Sequence, residues 1–211
     1  MNGGRRSRVP LPLETGVHRH PAYLFTIIFR IDANSFPILL TESPFESGPE
    51  GIMGKRTIDL AERFKALNNE MIAFVENCSD ENWRKVCPGE EWSVGVVARH
   101  VAASHFGALG LVKMLVAGEK LPDLSGAAID QLNVKHAEKH RNCTRDEVLK
   151  TLREHGGSGV EYVAGLGDAD LDRIGHVAAA GGDLTVEQIL ENILLRSAGE
   201  HLSHTKAATG A

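Results

Sequence analysis

The stretch EEWSVGVVARHVAASH, residues 90–105, carries a histidine eight residues after a tryptophan in an otherwise apolar run. Read as a helix, it gives His100 the face neighbours Val96, Val97, Ala103 and Ser104, with Gly107 one turn beyond. Small residues there leave room beside an imidazole, and neutral imidazole is the usual ligand for zinc and nickel. A second candidate group lies near the end of the chain, in LLRSAGEHLSHTKAA. There the apolar stripe Val186, Leu190, Ile193, Leu194, Ser197 is continued by His201 and His204, an i, i+3 pair that can converge on one ion. Three protein ligands plus an open position make a catalytic metal site. His100, His201 and one further group are the minimum. The alternative is an interior histidine satisfied by a backbone carbonyl, and spacing leaves both readings open.

The other histidines carry less. His105 stands roughly 140° around the helix from His100 and reads as packing or a helix–helix hydrogen bond. His136 and His140 are an i, i+4 pair, but Lys135, Glu138 and Lys139 between them make a solvated face, with Asn133 turning inward. His155 and His176 sit near glycines and read as loop residues. Cys78, Cys87 and Cys143 form no C-x-x-C, and an odd count with irregular spacing suits a reducing, cytoplasmic setting. Cys78 and Cys87 are close enough in sequence to oxidise together.

Long helices must position these groups. TIDLAERFKALNNEMIAFVENC, 57–78, sets Leu60, Phe64, Leu67, Met71 and Phe74 three and four apart, one face of an amphipathic helix. Ser93 is the expected N-cap of a second helix, with Trp92 stapled on Val97, and Gly118 its stop. A long link follows, holding a short helix in AAIDQLNVKHAEKHRN. Thr144–Glu147 and Thr185–Gln188 are capping boxes that open a third and a fourth helix. Gly156 and Gly157 weaken the third and mark a bend. GDADLDRIGHVAAAGGD reads as a loop with one helical turn, and no segment alternates with period two. Four helices with a long connection between the second and third imply an all-α four-helix bundle with a crossover.

Residues 1–53 differ from the rest. They hold six of the 8 prolines and read as an irregular or disordered extension, AYLFTIIFRI being a short strand without a partner. Met53 is an alternative initiator, and the bundle spans 54–211. A net charge of -5 without a basic stripe, and 5% aromatics, exclude a nucleic-acid footprint. No apolar run reaches the length of a membrane span. LGLVKMLV, 109–116, is more apolar than one seam needs, so it buries a homodimer partner or is covered on several sides.

CPGEEWSVGVVARHVA, with Trp92 followed by V-x-x-V-x-x-H, and a histidine in the last helix resemble the DinB/YfiT-like superfamily over about residues 54–209. That superfamily includes thiol-dependent S-transferases and a mycothiol-dependent maleylpyruvate isomerase. The resemblance implies an up-down-down-up bundle and a divalent ion, zinc or nickel, on three histidines. One matches His100, and an H-x-x-x-H of the last helix supplies two. His201 matches the second of these, but Ser197 stands at the first. His204 is then the expected third ligand. The implied function is metal-dependent hydrolysis or transfer of a low-molecular-weight thiol on a small-molecule substrate. The alternative is a metal-free binding or stress-response module, which Ser197 favours.

Overall fold

The computed structural model describes residues 54–211; the expectations for 1–53, including the strand in AYLFTIIFRI, lie outside the described residues. Helix α1 (Lys55–Asn77) buries Leu60, Phe64 and Met71 of the expected stripe, with Val75 joining them and Leu67 and Phe74 only half-buried. A short α2 (Asp80–Arg84) precedes α3 (Val94–Val116), which Ser93 caps through the Val96 N–H. Gly118 ends α3 with φ 74°, a left-handed conformation that a Cβ would strain. Then come α4 (Gly126–His140) and α5 (Arg145–Ala164), the latter opened by the Thr144/Glu147 capping box. α5 is continuous through its glycines, and Gly156 and Gly159 are buried points of close approach to Asn68, Leu109 and Phe64.

Two features depart from expectation. After α6 (Asp168–Leu171), β1 (Ile174–Val177) and β2 (Gly182–Thr185) pair antiparallel, Ile174 opposite Thr185 and His176 opposite Asp183. His176 is thus a strand residue, its Nδ1 hydrogen-bonded to Asp183. The last helix opens at the Thr185/Gln188 box as α7 (Val186–Ile189), widens into a π-helical segment (Leu190–Arg196) and continues as α8 (Ser197–Thr209). The wide turn accommodates one extra residue. The buried stripe therefore passes from Leu194 to Ala198, His201, Leu202 and Thr205, leaving Ser197 half-buried and His204 exposed.

The apolar clusters give the helix directions. Met71 and Val75 of α1 pack with Ala98, Val101 and Ala102 of α3, Val148 and Leu152 of α5, and Ala198 and Leu202 of α8. At the other end Leu60 and Phe64 pack with Leu109, Val112, Val163 and Ile193. So α3 and α5 run parallel to each other and antiparallel to α1 and the last helix, the up-down-down-up order. Parallel neighbours need a crossover, and the segment containing α4 supplies it. Leu109, Leu111, Val112 and Leu115 of the LGLVKMLV run are buried within the chain itself. Burying a side chain such as Phe64 or Leu152 contributes about 1.5–3 kcal/mol.

Candidate metal centre

His100 lies on the second turn of α3 with no solvent exposure. Neither of its ring nitrogens has a hydrogen-bond partner among the described residues. Burial, then the nearby charges of His201 and His136, push its pKa well below the ordinary imidazole value, so it is neutral at pH 7. Its ring meets three others edge-on: Trp92 at 5.1 Å between centroids, His201 at 5.0 Å and His136 at 5.4 Å. The fold thus brings His100 and His201 together from α3 and α8.

His201 is 5% exposed. Its Nδ1 is 2.8 Å from Glu90 Oε1, while its Nε2 is buried and has no partner among the described residues. His204 Nδ1 lies 2.6 Å from the same Glu90 oxygen, but its side chain is 46% exposed. The ligand atoms of Glu90, His201 and His204 all lie within 4.8 Å of one another, and His100 is not part of that group. His204 therefore approaches His201 through Glu90, outside the buried stripe.

Glu90 is held by its loop. Val86 and Ser93 form a β-bridge, the Val94 N–H donates to Lys85 O at 2.8 Å, and the Cys87 N–H donates to Trp92 O at 2.8 Å. At the tip, Glu91 takes φ 59°, a left-handed conformation uncommon outside glycine. Burial raises the Glu90 carboxyl, but hydrogen bonds from His201 and His204 outweigh it, and its pKa falls below the usual value. The same loop buries Cys87, whose thiol is pushed up to about 12 by burial and by Glu90. Cys87 is therefore a protonated core thiol. All three cysteines are free.

His136 overturns the solvated-face reading. Ile129, Asn133, His136 and His140 fall at spacings of four, three and four, and the face they share turns inward, with Ile129 and Asn133 buried. The charged residues between occupy the opposite face. His105 is wholly buried, edge-on to Phe64 at 4.9 Å, with no hydrogen bond among the described residues. It is a packing residue, and the helix–helix hydrogen bond is not formed. Two further features lie apart from the site. A cavity of about 640 Å³ at the start of α3 and α5 is lined by Trp83, Ser93, Arg141 and Cys143 and contains none of these histidines. His155 lies on α5 rather than in a loop.

A divalent ion fits the chemistry of this donor set. A buried nitrogen without a partner costs roughly 1–3 kcal/mol, and the inward nitrogens of His100 and His201 are in that state. Carboxylate on one imidazole nitrogen and metal on the other is the usual arrangement of a ligating histidine.

A family model described as the DinB superfamily matches residues 63–204, from α1 into α8. The chain belongs to the DinB superfamily. Among solved structures, YfiT from Bacillus subtilis, described as a probable metal-dependent hydrolase with an unusual four-helix bundle topology, superposes with a TM-score of 0.64. The match covers 77% of this DinB chain and 91% of that one at 17% identity, so it bears on the fold. No curated protein matches. Among the described residues no helix is long and apolar enough to cross a membrane.

Proposed function

We propose that the chain is a metal-dependent enzyme acting on a small molecule, by hydrolysis or by transfer of a low-molecular-weight thiol. His100 and His201 would hold the ion, with a third group from the His204 side or the α4 side. The observation that carries this is the pair of imidazoles at 5.0 Å whose inward nitrogens are buried without hydrogen bonds. When bound, a divalent ion supplies Lewis acidity and brings the pKa of a water or thiol toward neutrality.

The chain's own residues do the rest. Glu90 accepts the Nδ1–H of His201, which fixes the tautomer and leaves the Nε2 lone pair facing inward. Burial keeps His100 neutral and therefore able to donate its lone pair. Trp92 covers one side of the His100 ring and keeps water from it. Ser197 favours a second reading, a metal-free binding module, because a neutral hydroxyl is a poor ligand for a borderline metal.

Elemental analysis of protein purified without a histidine tag separates the two. The enzyme reading expects one metal per chain, abolished by both His100→Ala and His201→Ala. Folded wild-type protein that takes up no zinc or nickel would establish the module instead.

A further inference from the structure

We propose that His204 is a positioning residue of the candidate centre: seated over Gly89, it holds the Glu90 carboxylate in place against His201. This rests on the reading that His201 holds the ion.

Glu90 comes from a loop, so no helical repeat fixes where its carboxylate points. The last torsion of a glutamate is broad and roughly two-fold, so one hydrogen bond leaves the carboxylate free to swing. Here Oε1 accepts twice, from His201 Nδ1–H at 2.8 Å and from His204 Nδ1–H at 2.6 Å. The two donors stand at i and i+3 on α8, the spacing that turns side chains to one point. Oε2 is buried without a hydrogen-bond partner among the described residues, so both contacts fall on one oxygen. Turning the carboxylate would break both at once. The Glu90 side chain is 9% exposed and that of His204 46%, so His204 is the solvent-facing member of the three.

Gly89 points to the same role. A Cβ on it would lie 3.0 Å from His204 Nδ1 and 3.1 Å from its Cε1. Gly89 is not among the left-handed glycines, which are Gly118, Gly181 and Gly210, so its backbone does not require glycine. The ring of His204 does, because a methyl group there would press on the nitrogen that holds Glu90. A histidine drawn to the carboxylate by charge alone would need no space cleared beside it.

The rival is an ion inside this group, since the ligand atoms of Glu90, His201 and His204 lie within 4.8 Å of one another. The distances favour hydrogen bonds. Two ligand atoms on one tetrahedral zinc, each bonded at about 2.0–2.1 Å, stand about 3.3 Å apart. The separations of 2.8 and 2.6 Å are those of N–H groups donating to an ionised carboxylate.

The test uses the full chain, zinc affinity by chelator competition, and the downfield imidazole N–H proton resonances of the metal-free protein. His204→Ala should weaken zinc about tenfold, the lower end of what a lost outer partner costs. It should also lose the His201 Nδ1–H resonance to solvent exchange. His204→Asn, whose amide N–H can stand where Nδ1–H does, should keep the resonance and stay within about threefold of wild type. Gly89→Ala should shift affinity the same way as His204→Ala, by less. In a Glu90→Ala background, His204→Ala should change affinity by no more than about twofold, because its effect passes through the carboxylate. Wild-type affinity and resonance in His204→Ala, with His100→Ala and His201→Ala metal-free, overturn the His204 assignment and leave the proposed function standing. An undiminished loss in the Glu90→Ala background also overturns it, as does a loss that His204→Asn fails to restore. Metal abolished by His204→Ala but retained by His100→Ala makes His204 a ligand of the Glu90 group, and the assignment falls in that case too. A wild-type chain that binds no metal overturns both proposals.

Discussion

Glu90 reaches His201 because a tight loop turns it inward, and its charge has a definite job there. Glu90→Gln keeps the shape but removes the anionic oxygen that accepts the His201 Nδ1–H. Zinc affinity should fall about tenfold or more in chelator competition, with the helical circular dichroism unchanged. His105 makes a prediction in pH. Burial, with a smaller push from the charge of His155, lowers its pKa to about 3 from 6.5. The unfolded chain therefore binds more protons than the folded one between those values. The stability tied to neutral His105 is fully present above pH 6.5 and drains away as pH falls toward 3. By pH 5 the loss is about 2 kcal/mol at roughly 1.4 kcal/mol per unit. His105→Leu should shrink the change in urea-derived stability between pH 7 and pH 5 by about that amount. His100 and His201 are legible in the sequence because an imidazole stands where an aliphatic side chain would continue the stripe. His136 is hidden by Lys135, Glu138 and Lys139, although the spacing from Ile129 through His140 already marks an inward face. Glu90 has no comparable signal, since its position depends on loop hydrogen bonds rather than on a period.

The helices are legible from their ends inward. Ser93, Thr144 and Thr185 cap where side-chain chemistry requires, each accepting from the backbone N–H of the third residue of its helix. The hairpin is not, because each strand has four residues and β1 buries only Val177, too short for alternation to register. Nor is the π-helical segment, whose extra residue leaves the composition of the stripe unchanged. The glycines of α5 are weak points of helix propensity, as the sequence implies, but their role depends on neighbours in other helices. A Cβ on Gly159 would lie 2.6 Å from Leu109 Cδ1 and 2.8 Å from Phe64 Cε1, and the Phe64 ring is wholly buried. Gly159→Ala should therefore lose about 1–3 kcal/mol in urea unfolding, overpacking exceeding the gain in helix propensity. Gly157, whose Cβ would meet nothing within 4 Å, should gain about 0.5–1 kcal/mol as alanine.

Across the whole bundle, two apolar clusters are separated by a layer containing Asn68, Ser104 and His105, all buried. The imidazoles of the candidate centre lie beside this interior, so under the proposed function the stability of the bundle depends on metal. Saturating zinc at 100 times its dissociation constant should add about 2.7 kcal/mol, raising Tm by roughly 5–10 °C over chelator-treated protein. In chelator, His100→Leu should melt higher than wild type, since it removes buried nitrogens without partners, and zinc should no longer shift it. The widened turn at Leu190–Arg196 ties the two ends of the last helix to one rotational phase. Each α-helical residue advances the side chains by about 100°, so that single surplus position sets where His201 points. Excising Asn192 would wind the segment back to a regular α-helix and swing everything beyond it around the axis. The helix would survive the cut; the aim of its histidine would not.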